Sequence, residues 1–176
     1  PRQPVYRTVD RHWWLGERPT QQAERLRALV DLWQPQRLVL DATGVGEGLA
    51  SFLRAAYGER VVPIRLTAAL KSQMGWDFLG LVETGRYRDY ADDGQADTRQ
   101  FWYEVEACQY EVEGEAHLRW GVWETPRYDG VARGHDDLLL SAALVALLDQ
   151  EAWTPHVQSA LVAPADPLTE MDRRRF

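Results

Sequence analysis

Apolar positions recur along this chain with two periods, and the switches between them outline an alternating domain. Ala23, Leu26, Val30 and Trp33 fall on one face of a helix that Thr20 caps and Pro35 stops. Leu49, Phe52, Leu53 and Tyr57 mark a second helix that closes near Gly58. Met74, Phe78, Leu81 and Val82 mark a third over Ser72–Glu83, stopped by Thr84-Gly85. Short runs lie between them. Val5–Trp14, rich in valine, tyrosine, threonine and tryptophan, reads as a strand. Arg37–Asp41 reads as a short apolar strand of the kind buried in a parallel sheet, and Val61–Leu66 as the next. Strand and helix alternate three times, which predicts an α/β domain with a largely parallel core.

The pattern then changes. Asp97–Cys108 aligns Phe101, Val105 and Cys108 on a helical face, while its aromatic content suits a strand equally well. Gln109–Glu113 and Leu118–Glu124 read as a hairpin around Gly114, and Asp129–Gly134 as a loop. Asp136–Asp149 is apolar almost all round, as a buried helix is. Residues 1–150 make one domain. Residues 151–176 contain Pro155, Pro164 and Pro167, end near Arg173-Arg174-Arg175, and read as an extended tail.

A length of 176 residues suits one domain with a real core, and the hydrophobic content with eight tryptophans argues against disorder. Cys108, the single cysteine, cannot form an internal disulfide, which suits a reducing compartment. No signal-peptide core is present, and the run Leu138–Leu148 is shorter than the roughly 20 residues a bilayer demands, so no membrane role is expected. The net charge of −7 argues against a protein that coats nucleic acid by bulk charge. Local contact with DNA remains compatible with it, because carboxylates gathered for metals make a domain acidic. Lys71 is the single lysine.

Two acidic sites stand at predicted junctions. Asp41 ends an apolar strand and opens Ala42-Thr43-Gly44-Val45-Gly46-Glu47-Gly48. The carboxyl end of a parallel strand is where open α/β sheets place ligands. A strand-end aspartate also serves simply to cap its turn, and both readings stand. The loop resembles the cofactor loop of methyltransferases. Those place an acid after the next strand, whereas here that strand runs into Thr67-Ala68-Ala69. The Gly-Lys-Ser/Thr of a P-loop is missing, which argues against that ATPase site. The second site is His135-Asp136-Asp137, ahead of the buried helix. Asp136 as N-cap and Asp137 as first helical residue is the plain structural alternative. Two acids at the mouth of a buried helix otherwise need counter-charge, which a divalent cation supplies.

Leu40-Asp41-Ala42-Thr43-Gly44-Val45-Gly46 and Gly134-His135-Asp136-Asp137 carry a resemblance that extends from about Val5 to Leu148. The chain resembles the C-terminal nuclease domain of the large terminase subunit of tailed phages. The resemblance implies an RNase H-like three-layer fold, a central mixed β-sheet flanked by helices. It implies cleavage of concatemeric double-stranded DNA by two Mg²⁺ or Mn²⁺ ions, roughly 3.5–4 Å apart across the scissile phosphate. Asp41 matches the family's second catalytic acid. Asp136 and Asp137 match the third, at least one of them a metal ligand. His135 is then a neighbour that orients a ligand, an occasional ligand, or a structural histidine. Lys71, Arg86 and Arg88 are candidate contacts to the DNA backbone. The acidic hairpin, with Glu111, Glu113 and Glu115, suits covering the site better than holding DNA. Implied partners are the terminase ATPase domain, the small terminase subunit and the portal protein, in the cytoplasm of a bacterial host.

The chain departs from that pattern at its start. The family's first catalytic aspartate lies on an opening strand, and Val5–Trp14 resembles the second or third strand instead. Asp10 is the only early alternative, and its place inside Arg7-Thr8-Val9-Asp10-Arg11-His12 does not match. The first strand and its acid are expected to be missing from this chain. Two alternatives follow: a non-catalytic relative used for docking or DNA binding and, more distantly, a methyltransferase.

Overall fold

The computed structural model describes residues 3–44, 46–123, 126–127, 130–131 and 136–151. The elements run β1 (Tyr6–Arg7), α1 (Pro19–Trp33), β2 (Leu38–Asp41), α2 (Gly46–Tyr57), β3 (Val61–Ile64), α3 (Ala68–Glu83), β4 (Tyr87–Arg88), α4 (Ala96–Ala107), β5 (Cys108–Glu113), β6 (His117–Val122), β7 (Pro126–Arg127), β8 (Gly130–Val131) and α5 (Asp137–Ala143). The last continues as a 3₁₀ segment, Leu144–Leu148. Among the described residues, strands pair two by two: β1 with β4 and β2 with β3 in parallel, β5 with β6 and β7 with β8 antiparallel. The ladders are thus of both kinds, as a mixed α/β architecture requires.

Three local expectations need correction. The first helix begins at Pro19, with Arg18 rather than Thr20 at the N-cap position. Proline suits the first helical residue, since its φ is preset and its missing N–H costs nothing there. The Gln21 side chain accepts the Arg18 backbone N–H at 3.2 Å and closes the turn. The first strand shrinks to Tyr6–Arg7 because the residues after it are held by side chains instead of a ladder. Arg11 bonds Asp89 at 2.6 Å with its guanidinium over the Phe101 ring, and the Trp13 N–H donates to Asp97. Asp97–Ala107 settles as helix, within α4, and Cys108 opens β5; Phe101 and Glu104 are buried and Val105 half-buried. The last helix keeps α geometry for only part of its predicted length.

The main core gathers Met74 and Leu81 of α3, Phe101 of α4, Leu118 and Trp120 of β6, and Leu138, Leu139, Ala143 and Ala146. Gly75 lets the hairpin close on α3: a Cβ there would lie 2.3 Å from the Trp120 indole nitrogen. That nitrogen donates to the Lys71 carbonyl at 2.8 Å, and the Leu118 N–H donates to Ser72 Oγ at 2.8 Å. Helix α3 and β6 are thereby locked together next to the start of α5. Leu53 and Ala50 of α2 are buried where that helix packs on α1 and the β2–β3 pair. The strand β2 was expected to be fully buried, yet Leu38, Val39 and Leu40 are only half-buried. Among the described residues β2 has a ladder partner on one side only, β3. No helix among the described residues is long and apolar enough to cross a membrane.

Candidate functional site

Asp41 is the last residue of β2, in register with Ile64 of β3. Its Oδ1 accepts the Thr43 N–H at 2.9 Å and the Thr43 hydroxyl at 2.5 Å. The same hydroxyl accepts the Leu66 N–H at 3.1 Å, which ties the end of β2 to the exit of β3. Asp41 therefore does cap its own turn, through one oxygen. Its other oxygen, Oδ2, has no protein partner among the described residues, and the side chain is exposed. The glycines after it differ in role. Gly44 has φ +59°, and Gly46 must be glycine because a Cβ would lie 2.2 Å from the Asp41 carbonyl oxygen. A Cβ at Gly48 would meet nothing within 4 Å among the described residues.

The exit of β3 leads into α3, where Thr67 caps the helix by accepting the Leu70 N–H at 3.2 Å. One turn on, Lys71 Nζ donates to Asp136 Oδ2 at 3.0 Å. The ammonium also lies 5.1 Å from the centre of the Trp120 ring. Both side chains are mostly sheltered, 29% exposed for Lys71 and 24% for Asp136. Gly121 of β6 makes room for the pair: a Cβ there would sit 2.5 Å from Asp136 Oδ2 and 3.3 Å from Lys71 Nζ. A cavity of about 270 Å³ opens beside it, lined by Lys71, His117, Arg119, Gly121, Trp123 and Asp136. Cys108 lies close by; burial pushes its thiol pKa up, and the Asp136 charge adds to that.

Asp136 occupies the N-cap position of α5, as the plain structural alternative required, but its side chain makes no capping bond. The cap comes from α4. Glu104, fully buried, accepts the Leu138 and Leu139 N–H groups at 2.8 and 2.9 Å. The sequence held a faint signal for Glu104, a carboxylate on the face that also carries Phe101 and Cys108, and that signal was missed. Gly121 was missed as well, although a glycine inside a strand pattern signals a close approach.

The remaining candidates are placed differently. Asp137 is exposed on the first turn of α5. His135 lies outside the described residues, as does the tail beyond Glu151. Arg86 is committed within the protein: it donates to the Pro4 carbonyl at 3.0 Å and grips both carboxylate oxygens of Asp149. Arg88 is exposed and donates to the Gly85 carbonyl at 3.2 Å. Among the described residues Asp10 bonds its neighbours Arg11 and His12 and no others. Among the described residues no three His, Cys, Asp or Glu side chains converge closely enough to hold a metal ion. Asp41 and Asp136 are joined by a path through Thr43, Leu66, Thr67 and Lys71, but they do not close into one cluster.

The family model for the terminase RNaseH-like domain matches residues 2–148. The chain belongs to this family. Among solved structures it is similar to the large terminase nuclease of thermophilic phage G20c with bound cobalt, at 24% identity and a TM-score of 0.56, covering 75% of this chain and 63% of that one. The magnesium-bound form of the same nuclease gives 24% and 0.55, covering 75% and 62%. The large terminase nuclease domain of Thermus phage P74-26 gives 21% and 0.52, covering 73% and 59%. These likenesses establish the RNase H-like α/β fold. The chain spans less than two thirds of the length of these nucleases. No curated protein matches the chain.

Proposed function

We propose that this terminase RNaseH-like domain is a divalent-metal-dependent endonuclease domain of a phage DNA-packaging terminase, cutting double-stranded DNA. The observation that carries the reading is the Asp136 carboxylate. It stands where a capping residue stands, does no capping, and is turned beside Gly121 toward Lys71 at the edge of a cavity. A buried helix start that takes its cap from another helix leaves its own acid available for something else.

Asp41, Asp136 and Asp137 would hold Mg²⁺ or Mn²⁺, and their chemistry fits: carboxylate oxygens suit hard ions, and one Asp41 oxygen has no protein partner among the described residues. When bound, the ions supply water activation and charge neutralisation at the phosphate. This chain's own residues then orient and balance charge. Thr43 fixes the Asp41 carboxylate through one oxygen. Lys71 offsets the charge of Asp136 and gives a phosphate oxygen a cationic partner in the same cavity. Arg88 and Arg119, both exposed, are candidates to meet the DNA backbone. Arg86 is not, because its donors are engaged by Asp149 and Pro4. A strand alongside the half-buried side of β2, bringing a further acid next to Asp41, would complete the carboxylate set. The ATPase domain, small subunit and portal protein are the partners this role requires, inside the bacterial host.

A second reading has an observation in its favour. Lys71 already neutralises Asp136, and the described residues gather no three-ligand cluster. A docking or DNA-binding relative without cleavage would look like this. Nicking of supercoiled plasmid with Mn²⁺ or Mg²⁺ separates the two. The chain, and a version extended at its N-terminus, should be compared with Asp41→Ala and with the double variant Asp136→Ala/Asp137→Ala. Chelator-sensitive nicking that either variant abolishes supports the nuclease. A folded, extended chain that binds plasmid without nicking it supports the docking module.

A further inference from the structure

Helix α5 has one N-cap position and two carboxylates within reach of the task. The groups an N-cap side chain ordinarily serves are the N–H groups of the second and third helical residues. In α5 these belong to Leu138 and Leu139, and both donate to Glu104 Oε2. Glu104 Oε1 accepts the Gln100 side-chain amide at 3.0 Å, so both oxygens are engaged. The residue is 0% exposed, and among the described residues no lysine or arginine pairs with it. A buried carboxylate with no cationic partner is costly, and the positive end of a helix is one of the few things that offset it. Asp136, at the N-cap itself, makes no such bond and holds Lys71 instead.

We infer that Glu104 is a positioning residue for the site. By capping α5 from a neighbouring helix, it keeps the Asp136 carboxylate from turning back onto its own helix, and so keeps it facing Lys71 and available to the ion that the nuclease reading would have it hold. Without Glu104, the Leu138 and Leu139 N–H groups are unserved and Asp136 is the nearest acid able to take them. Asp136 would then serve as an ordinary cap and leave the site. The part of this inference that concerns the ion rests on the nuclease reading; the part that concerns the direction of Asp136 does not.

Two measurements on Glu104→Gln, Asp136→Ala and their combination test it, with circular dichroism confirming that each variant is folded. The first is amide hydrogen exchange in metal-free protein. Glu104→Gln should speed exchange at Leu138 and Leu139, Asp136→Ala alone should leave it unchanged, and the combination should be fastest because the substitute cap is gone. Faster exchange in Asp136→Ala alone would overturn the inference. The second is Mn²⁺ affinity by calorimetry. Glu104→Gln should weaken it about tenfold, the usual size of losing a residue that orients a ligand. The same change in the Asp136→Ala background should cost little more, because Glu104 acts through Asp136. Equal losses in both backgrounds, or no loss in folded Glu104→Gln, would overturn it. If the unmutated chain binds no Mn²⁺ while the exchange pattern holds, the metal-site reading falls and the positioning of Asp136 stands.

Discussion

Asp41 and Asp136 stand at equivalent kinds of place, each where one regular element gives way to another, yet the chain uses them in opposite ways. Asp41 spends one carboxylate oxygen on its own loop, through bonds to a residue two positions on. Asp136 spends neither on its own helix and is held by a lysine 65 residues away. Local bonds make the first junction self-sufficient. The second depends on a cap supplied by Glu104, 34 residues earlier in the chain. A carboxylate with local work is easily explained as structure. One relieved of that work by a distant residue points to a role beyond the fold.

The sharpest way to break this comparison is to remove the supplied cap altogether. Glu104→Ala leaves a cavity between α4 and α5 and hands the Leu138 and Leu139 N–H groups to Asp136, so urea unfolding should show a loss of about 2 kcal/mol. Combined with Asp136→Ala, which removes the substitute cap, the loss should rise to about 3 kcal/mol, and a combination no less stable than Glu104→Ala alone would show that Asp136 does not take over the cap.

The Asp41 junction has its own point of failure in Gly46. A Cβ there would press on the Asp41 carbonyl oxygen at 2.2 Å, a backbone atom that cannot move aside without shifting β2. Gly46→Ala should cost about 2 kcal/mol. Gly48→Ala, which meets open space, should be neutral or slightly stabilising because alanine is the better helix former. Equal effects at the two glycines would remove the close approach from the account.

A third aspartate extends the comparison to the far end of the same helical segment. Asp149 sits at its C-terminal end, where the helix dipole opposes a negative charge. Arg86, assisted by Tyr6, holds its carboxyl pKa below the ordinary range. A depressed folded-state pKa contributes stability that is complete above the unfolded value of about 3.9. That stability is lost as pH falls through the folded value. The pair is partly exposed, so the contribution at neutral pH is about 1 kcal/mol. Arg86→Ala should therefore be less stable than the unmutated chain at pH 7, with the gap closing as pH falls below the ordinary carboxylate range. A gap that persists in acid would mean that Arg86 stabilises by packing, not by its charge.

What the sequence made legible follows the same division. The order of helices and strands, the hairpin around Gly114 and the Asp41 turn all rest on neighbours in the chain, and hydrophobic period and glycine placement report on those. The family could be read from two short motifs for the same reason. The roles of Glu104 and Gly121 rest on contacts across the fold, where a single sequence leaves only an oddly placed charge or glycine. The contraction of Val5–Trp14 to a two-residue strand is of that kind too. Its composition favours a strand, but Arg11 and Trp13 are claimed by Asp89 and Asp97. The full burial expected of β2 failed because an apolar run reports what a strand can bury, not how many neighbours it finds.

The smallest expected effect belongs to Thr43, and it tests how local the Asp41 junction is. Its hydroxyl donates to Asp41 Oδ1 and accepts the Leu66 N–H, so one oxygen joins the two strand ends. Thr43→Val keeps the shape, removes both bonds, and leaves the Thr43 N–H still capping from the backbone. The site is exposed, so water replaces much of what is lost and unfolding should register about 0.5 kcal/mol. Hydrogen exchange at Leu66 should quicken while exchange at Leu138 and Leu139 stays as it was. Quickening at both ends would show that the path from Thr43 through Leu66 and Thr67 to Lys71 is coupled, and that the two junctions behave as one structure and not as two.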